Sequence, residues 1–283
     1  MTVTTSAVGR TLPKFLYGTA WKEDQTERLV RLALKAGFRG IDTANQRRHY
    51  HEAGVGAAIA GALADGVVQR DAIFLQTKFT YTDGQDHRLP YEKSASVSTQ
   101  VSQSFASSLE HLEVERIDSY LLHGPSQRHG LGAIDLEAWQ AMEELHLAGK
   151  THHLGISNVG LDQLEELWER ATVRPAFVQN RCFAATGWDR DIRGFCLNHG
   201  IVYQGFSLLT ANGNELRQPS FHRIVERTGK TPAQVVFRFA LQTGMLPLTG
   251  TTDPHHMRED LDIDDFELDE EDVQAIENIA VRR

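Results

Sequence analysis

The chain has 283 residues, 41% of them hydrophobic and 24% charged, with a formal net charge of −9. That length suits one (β/α)8 barrel, and the acidic balance argues against nucleic acid or an anionic membrane as partner, since both need a basic face. Cys182 and Cys196 make no disulfide framework, and the pairs His152-His153 and His255-His256 lack the same-face spacing of helical metal ligands, so no metal is expected. A reduced, cytoplasmic chain is the simple expectation, because no apolar run approaches a membrane span and the N-terminus shows no apolar leader segment.

No linker, low-complexity block or repeat divides the sequence, so residues 1–283 read as a single domain. In chain order, β-rich runs are expected at Phe15–Thr19, Phe38–Thr43, Ile73–Lys78, Ser119–His123, His152–Ser157, Phe177–Asn180, Ile201–Ser207 and Met245–Thr251. Helical patterns fall between them. Glu27–Ala36 carries Leu29, Leu32, Ala33 and Ala36 at helical spacing, Ala53–Ala64 is rich in helix formers, and Ser96–Leu112 repeats apolar residues from Val97. Leu136–Ala148, Leu161–Ala171, Asp189–His199, Ala233–Gln242 and Asp269–Ile279 follow, with Thr231-Pro232 as cap and first-turn residue. Strands alternating with helices point to βα units and a parallel sheet. An open dinucleotide-binding sheet carries a Gly-rich turn after its first strand. Here that turn reads Gly18-Thr19-Ala20-Trp21-Lys22, with one glycine, which favours an α/β fold closed as a (β/α)8 TIM barrel.

Catalytic residues of such barrels sit at the C-terminal ends of strands. Those ends read Gly40-Ile41-Asp42-Thr43, Gln76-Thr77-Lys78, Leu121-Leu122-His123-Gly124-Pro125, Gly155-Ile156-Ser157-Asn158, Val178-Gln179-Asn180, Gly205-Phe206-Ser207 and Leu248-Thr249-Gly250-Thr251-Thr252. Singly, each polar residue has an ordinary explanation as a turn former, a cap or a solvated side chain. The ordered set, from Leu16 to about Leu268, resembles the aldo-keto reductases.

That resemblance implies transfer of hydride from a nicotinamide to a carbonyl carbon, reducing a small aldehyde or ketone to an alcohol. The carbonyl oxygen then needs a proton and a stabiliser of developing charge. The resemblance assigns Tyr50 as acid, Lys78 as the cation that tunes it, Asp42 as the partner of Lys78, and His123 as the group that orients the carbonyl. It assigns Gly18 and Thr19 to the cofactor, Ser157, Asn158 and Gln179 to the nicotinamide carboxamide, and Phe206 to ring stacking. Ser207, Leu209, Thr210 and Asn212 fall at the pyrophosphate, and Gly250, Thr251, Thr252, Arg258, Glu259 and Asp260 at the adenosine end. Trp21 is the candidate substrate contact. NADP(H) is the expected cofactor, with NAD(H) as the alternative, and a monomer or weak oligomer is the family habit.

Three departures stand out. The family places its tyrosine five residues after the aspartate, whereas Tyr50 follows Asp42 by eight, so the segment from Asn45 to His51 carries an insertion and His49 is the rival for the acid position. The family's lysine and arginine for the 2′-phosphate correspond to Gly250 and His256, leaving Thr251, Thr252 and Arg258 as substitutes. The chain stops soon after Ile279, which implies a more open pocket shaped by Trp21 and by the loops at 124–135 and 210–219. The alternative to an enzyme is a non-catalytic nucleotide sensor on the same barrel, which would lack one or more of the four catalytic residue types present here.

Overall fold

The computed structural model describes residues 12–280. Its eight strands are all parallel and pair in chain order, and the last closes back onto the first. They are β1 (Leu16–Gly18), β2 (Gly40–Asp42), β3 (Phe74–Phe79), β4 (Ile117–Leu122), β5 (Thr151–Ser157), β6 (Phe177–Arg181), β7 (Val202–Phe206) and β8 (Leu246–Thr249). The expected (β/α)8 barrel is therefore the fold.

The strand sequences show why the barrel closes with polar groups inside it. Side chains alternate between the two faces of a strand. Tyr17, Ile41, Leu75, Tyr120, Val178 and Tyr203 belong to a large cluster packed against the helices. Their neighbours Leu16, Phe74, Leu121, Phe177, Val202 and Leu246 form a separate, smaller cluster that plugs the interior, with the Phe74 and Phe177 rings 5.4 Å apart. Two residues further along the same inward face come Asp42, Gln76, Gln179 and Gln204, and then Lys78. The interior thus changes from hydrocarbon to amide and charge on the way to the C-terminal end. Gly40 admits this packing, because a Cβ there would meet Leu16 Cδ2 at 2.5 Å and the Phe15 carbonyl oxygen at 2.7 Å.

The helices are α1 (Thr26–Ala36), α2 (Glu52–Ala64), α3 (Val97–Leu112), α4 (Ala133–Leu147), α5 (Leu161–Arg170), α6 (Arg190–His199), α7 (Pro219–Thr228), α8 (Pro232–Gln242), α9 (Pro254–Leu261) and α10 (Glu270–Glu277). In α1 the buried stripe is Leu29, Val30, Ala33 and Leu34, and Gly37 ends the helix in a left-handed conformation at φ 116°. Thr231 caps α8 as its sequence predicts, accepting a hydrogen bond from the Gln234 N–H and taking part in a capping box. Two helices, α7 and α9, fall where no helix is expected from the sequence. Both start with proline in the first turn, and Asp253 caps α9 by accepting from the His255 N–H at 2.7 Å. Expected strand ends overshoot β1 and β2, yet the extra residues still follow their neighbours, with Thr19 N–H donating to Asp42 O and Thr43 N–H to Gln76 O. No helix among the described residues is long and apolar enough to cross a membrane.

Candidate active site

At the C-terminal end of the barrel, Lys78 has no solvent exposure and Asp42 has 2%. The Lys78 ammonium donates to both Asp42 oxygens, at 2.7 and 2.8 Å, and to the Thr43 carbonyl at 2.8 Å. Asp42 Oδ1 also accepts from Gln76 Nε2 at 2.7 Å and Gln179 Nε2 at 2.9 Å. A carboxylate only accepts, so both amides must turn nitrogen toward it. Their second N–H groups converge on Gln204 Oε1 at 2.8 and 2.9 Å, and Gln204 returns an N–H to Gln76 Oε1 at 3.0 Å. The charge of Asp42 therefore orients three buried glutamines, and Gln179 is left with Oε1 as its free polar atom at the cleft.

The insertion after β2 decides which residue meets this pair. Residues 47–49 form a turn, closed by His49 and Tyr50 N–H groups that both donate to Gln46 O. The turn sends the two candidate acids in opposite directions. Tyr50 points inward: its ring centroid is 5.4 Å from Lys78 Nζ and 5.9 Å from the His123 ring. His49 points outward, its ring centroid 3.9 Å from that of Trp21 in a tilted contact and its Nδ1 bonded to Gln46 Oε1. The neighbouring β3–α3 connection braces the turn. Gln46 donates to Gly84 O, Gln85 to Asn45 O, and Arg88 to Arg47 O.

Burial and the Asp42 carboxylate both hold the Tyr50 phenol above its ordinary range. The expected lowering by Lys78 does not prevail against burial and the Asp42 charge. Burial also lowers Lys78, against the opposing pull of Asp42. His49 is lowered by burial and by the adjacent Arg48 rather than by Lys78. Burial and the Lys78 charge push His123 down to about 3, so its imidazole is neutral at working pH.

His123 follows β4, its N–H donating to Phe79 O at 2.9 Å. Its Nδ1 lies 2.7 Å from Thr80 Oγ1, and its carbonyl accepts from Asn158 Nδ2 at 2.8 Å. Asn158 holds a left-handed backbone at φ 52°, and Ser157 Oγ donates to Gln179 O at 2.6 Å.

These groups open onto a cleft of about 740 Å³. Among the expected residues, Gly18, Asp42, Tyr50, His123, Ser157, Asn158, Gln179, Phe206, Ser207, Leu209, Thr210, Gly250, Thr251, Glu259 and Asp260 line it. Lys78 lies behind them under Asp42. Thr19, Trp21, Asn212, Thr252 and Arg258 are not part of its lining. Thr19 spends its hydroxyl on Asp42 O, and Trp21 lies 70% exposed against His49. Asn212, 1% exposed, bonds through both ends of its amide to the backbone of Cys182, Leu208 and Ala184. Thr252 and Arg258 face solvent. His256 joins the lining instead. A larger groove of about 920 Å³, bordered by Arg70, Asp118 and Lys150, contains none of these chemistry-bearing residues.

Four residues at the site are missed by the sequence reading. Gln76 and Thr80 stand two positions either side of Lys78, and Gln204 two before Phe206, so strand alternation places each on the inward face. The fourth is Lys22, which lies outside the lining, beside Gly250. It is 6% exposed, donates to Gly250 O at 2.7 Å, and stands 3.7 Å from where a Cβ on Gly250 would be. Burial lowers its ammonium to about 8.

The aldo/keto reductase family model matches residues 14–281. The chain belongs to the aldo/keto reductase family. Membership makes it a nicotinamide-dependent oxidoreductase. It is 30% identical to the glyoxal reductase of Bacillus subtilis, over 88% of this chain and 81% of that protein. It is 32% identical to deoxymugineic acid synthase 1 of Zea mays, over 98% and 92%. An aldo/keto reductase structure from Brucella melitensis superposes with a TM-score of 0.82 at 30% identity, covering 99% of each chain. A Bombyx mori aldo-keto reductase solved in complex with NADP superposes at 0.83, with 24% identity, over all of this chain and 94% of that one.

Proposed function

We propose that this aldo/keto reductase reduces small aldehydes or ketones to alcohols with NADP(H), Tyr50 giving the proton, Lys78 and Asp42 supporting it, and His123 orienting the carbonyl. The observation that carries this reading is the convergence of Tyr50, His123 and the buried Lys78–Asp42 pair on one cleft, with His49 turned away. The cleft also suits a dinucleotide. Phe206 offers a ring for stacking, while Gln179 Oε1, Ser157 and Asn158 offer polar atoms for a carboxamide. Ser207, Leu209 and Thr210 would follow the pyrophosphate. Gly250, Thr251, His256, Glu259 and Asp260 would take the adenosine end, with Lys22 the buried ammonium beside Gly250. NADP(H) comes first because Lys22 and His256 can replace the family's phosphate-binding pair and because the Bombyx mori relative holds NADP. NAD(H) is the second choice.

The bound nicotinamide would supply hydride to the carbonyl carbon. The work of the chain is at the oxygen. Tyr50 keeps its proton at neutral pH because burial and Asp42 disfavour phenolate, so it stands loaded as an acid. Lys78, held by Asp42 and Thr43 O, meets the negative charge left as the proton moves. His123, neutral, can donate from Nε2. A cytoplasmic setting fits the two buried free thiols, Cys182 and Cys196.

Parallel kinetics of Tyr50→Phe and His49→Ala test the reading, with NADPH oxidation followed over a panel of small aldehydes, dicarbonyls and ketones. Tyr50→Phe should lose kcat by ~10² to 10⁴, with NADPH affinity intact, and His49→Ala should stay within a few-fold of wild type. The reverse order would give the acid role to His49. NADPH binding without turnover on the whole panel would point to the sensor.

A further inference from the structure

Thr80 follows β3 and is 6% exposed. Its hydroxyl has the His123 Nδ1 as its hydrogen-bond partner, at 2.7 Å. The Thr80 carbonyl is itself fixed, accepting from the Tyr91 hydroxyl at 2.8 Å, and from the Gln85 amide. The His123 main chain is pinned by Phe79 O on one side and Asn158 Nδ2 on the other. Both members of the contact are thus held by backbone bonds to neighbouring elements.

A neutral imidazole has one N–H and one lone pair. If Nδ1 carried the proton, it would donate to Thr80 Oγ1, and the Thr80 hydroxyl hydrogen would then be buried with no acceptor. A buried donor left unpaired costs about 1–3 kcal/mol. Nε2 would also present a lone pair to the cleft, where it would repel a carbonyl oxygen. If the Thr80 hydroxyl donates to Nδ1, every group is satisfied and the N–H sits on Nε2. We infer that Thr80 is a positioning residue that fixes the His123 tautomer, so that Nε2–H faces the carbonyl oxygen of the substrate. The inference rests on the proposed role of His123.

Thr80→Val removes the hydroxyl at nearly constant shape, and Thr80→Ser keeps it. The expected result is a fall of about tenfold in kcat/KM for Thr80→Val, the size of one neutral hydrogen bond. Its NADPH affinity should stay unchanged, and Thr80→Ser should lie within about twofold of wild type. Long-range ¹H–¹⁵N spectra of the wild-type protein give an independent readout, with His123 identified by its loss in His123→Ala. Nδ1 should show the shift of a lone-pair nitrogen and Nε2 that of a protonated one. A protonated Nδ1 in wild type overturns the inference, even if Thr80→Val does not fold, and so does wild-type kcat/KM in Thr80→Val. A fully active His123→Ala would instead remove the proposed role of His123, leaving the spectra to judge the Thr80 contact itself.

Discussion

Replacing Lys78 by Met isolates the electrostatic cost built into the barrel. Lys78 has no exposure and Asp42 has 2%, and the substitution removes an ammonium that donates to both carboxylate oxygens. Breaking one member out of a buried ion pair costs about 3–5 kcal/mol, because the survivor is a buried unpaired charge. Asp42 retains the Gln76 and Gln179 amides, so the lower end, about 3 kcal/mol, is expected. For a chain of this size each kcal/mol is worth roughly 2–4 °C, giving a Tm drop of roughly 6–12 °C at pH 7. The double variant Asp42→Asn/Lys78→Met leaves no unpaired charge at this position and should melt above the single one. Scanning calorimetry on the three proteins decides the matter. Lys78→Met melting within about 2 °C of wild type, or a double variant no better than the single, would show that the pair is not the unit described here.

Gln204→Leu should orphan one N–H on each of Gln76 and Gln179 and release the Gln179 amide from its fixed orientation, weakening NADPH binding by fluorescence titration about five- to tenfold, within the cost of one unpaired buried donor. Unchanged affinity would mean that Gln179 is held by Asp42 alone. Lys22, with its ammonium lowered to about 8, should be charged below that pH and lose its charge above it. NADPH affinity should therefore fall as pH rises through about 8, and Lys22→Met should flatten that dependence. Because Tyr50 is raised above its ordinary range, kcat should show no loss from phenol ionisation over the same interval.

The barrel was legible because β-rich runs and helical stripes alternate without interruption, and Asp42, Lys78 and His123 fall at or just after strand ends, where the fold collects its chemistry. The absence of α7 and α9 from the expected helices has a plain cause: each opens on a proline in a segment of mixed polarity, where proline signals a loop as readily as a first turn. Tyr50 against His49 could not be settled by counting residues, since the answer depends on which side chain the turn at residues 47–49 sends inward. Arg258 and Asn212 fit an aligned motif, yet the first faces solvent and the second is used up by the backbone. Lys22 escaped because it comes from the opposite end of the chain to Gly250, and only barrel closure between β1 and β8 joins them.

The braced turn at residues 45–51 has a further consequence. Tyr50 is delivered by a loop, and that loop takes its shape from the segment that follows β3, through Gly84 O, Gln85 and Arg88. The distance along the chain from Asp42 to its tyrosine is then not a fixed quantity that catalysis imposes. It can lengthen or shorten, provided that the adjoining loop changes in step to keep the ring on the cleft. The two loops act as one unit, and exchanging either of them alone between relatives should misplace Tyr50, while moving both together should carry the acid across intact.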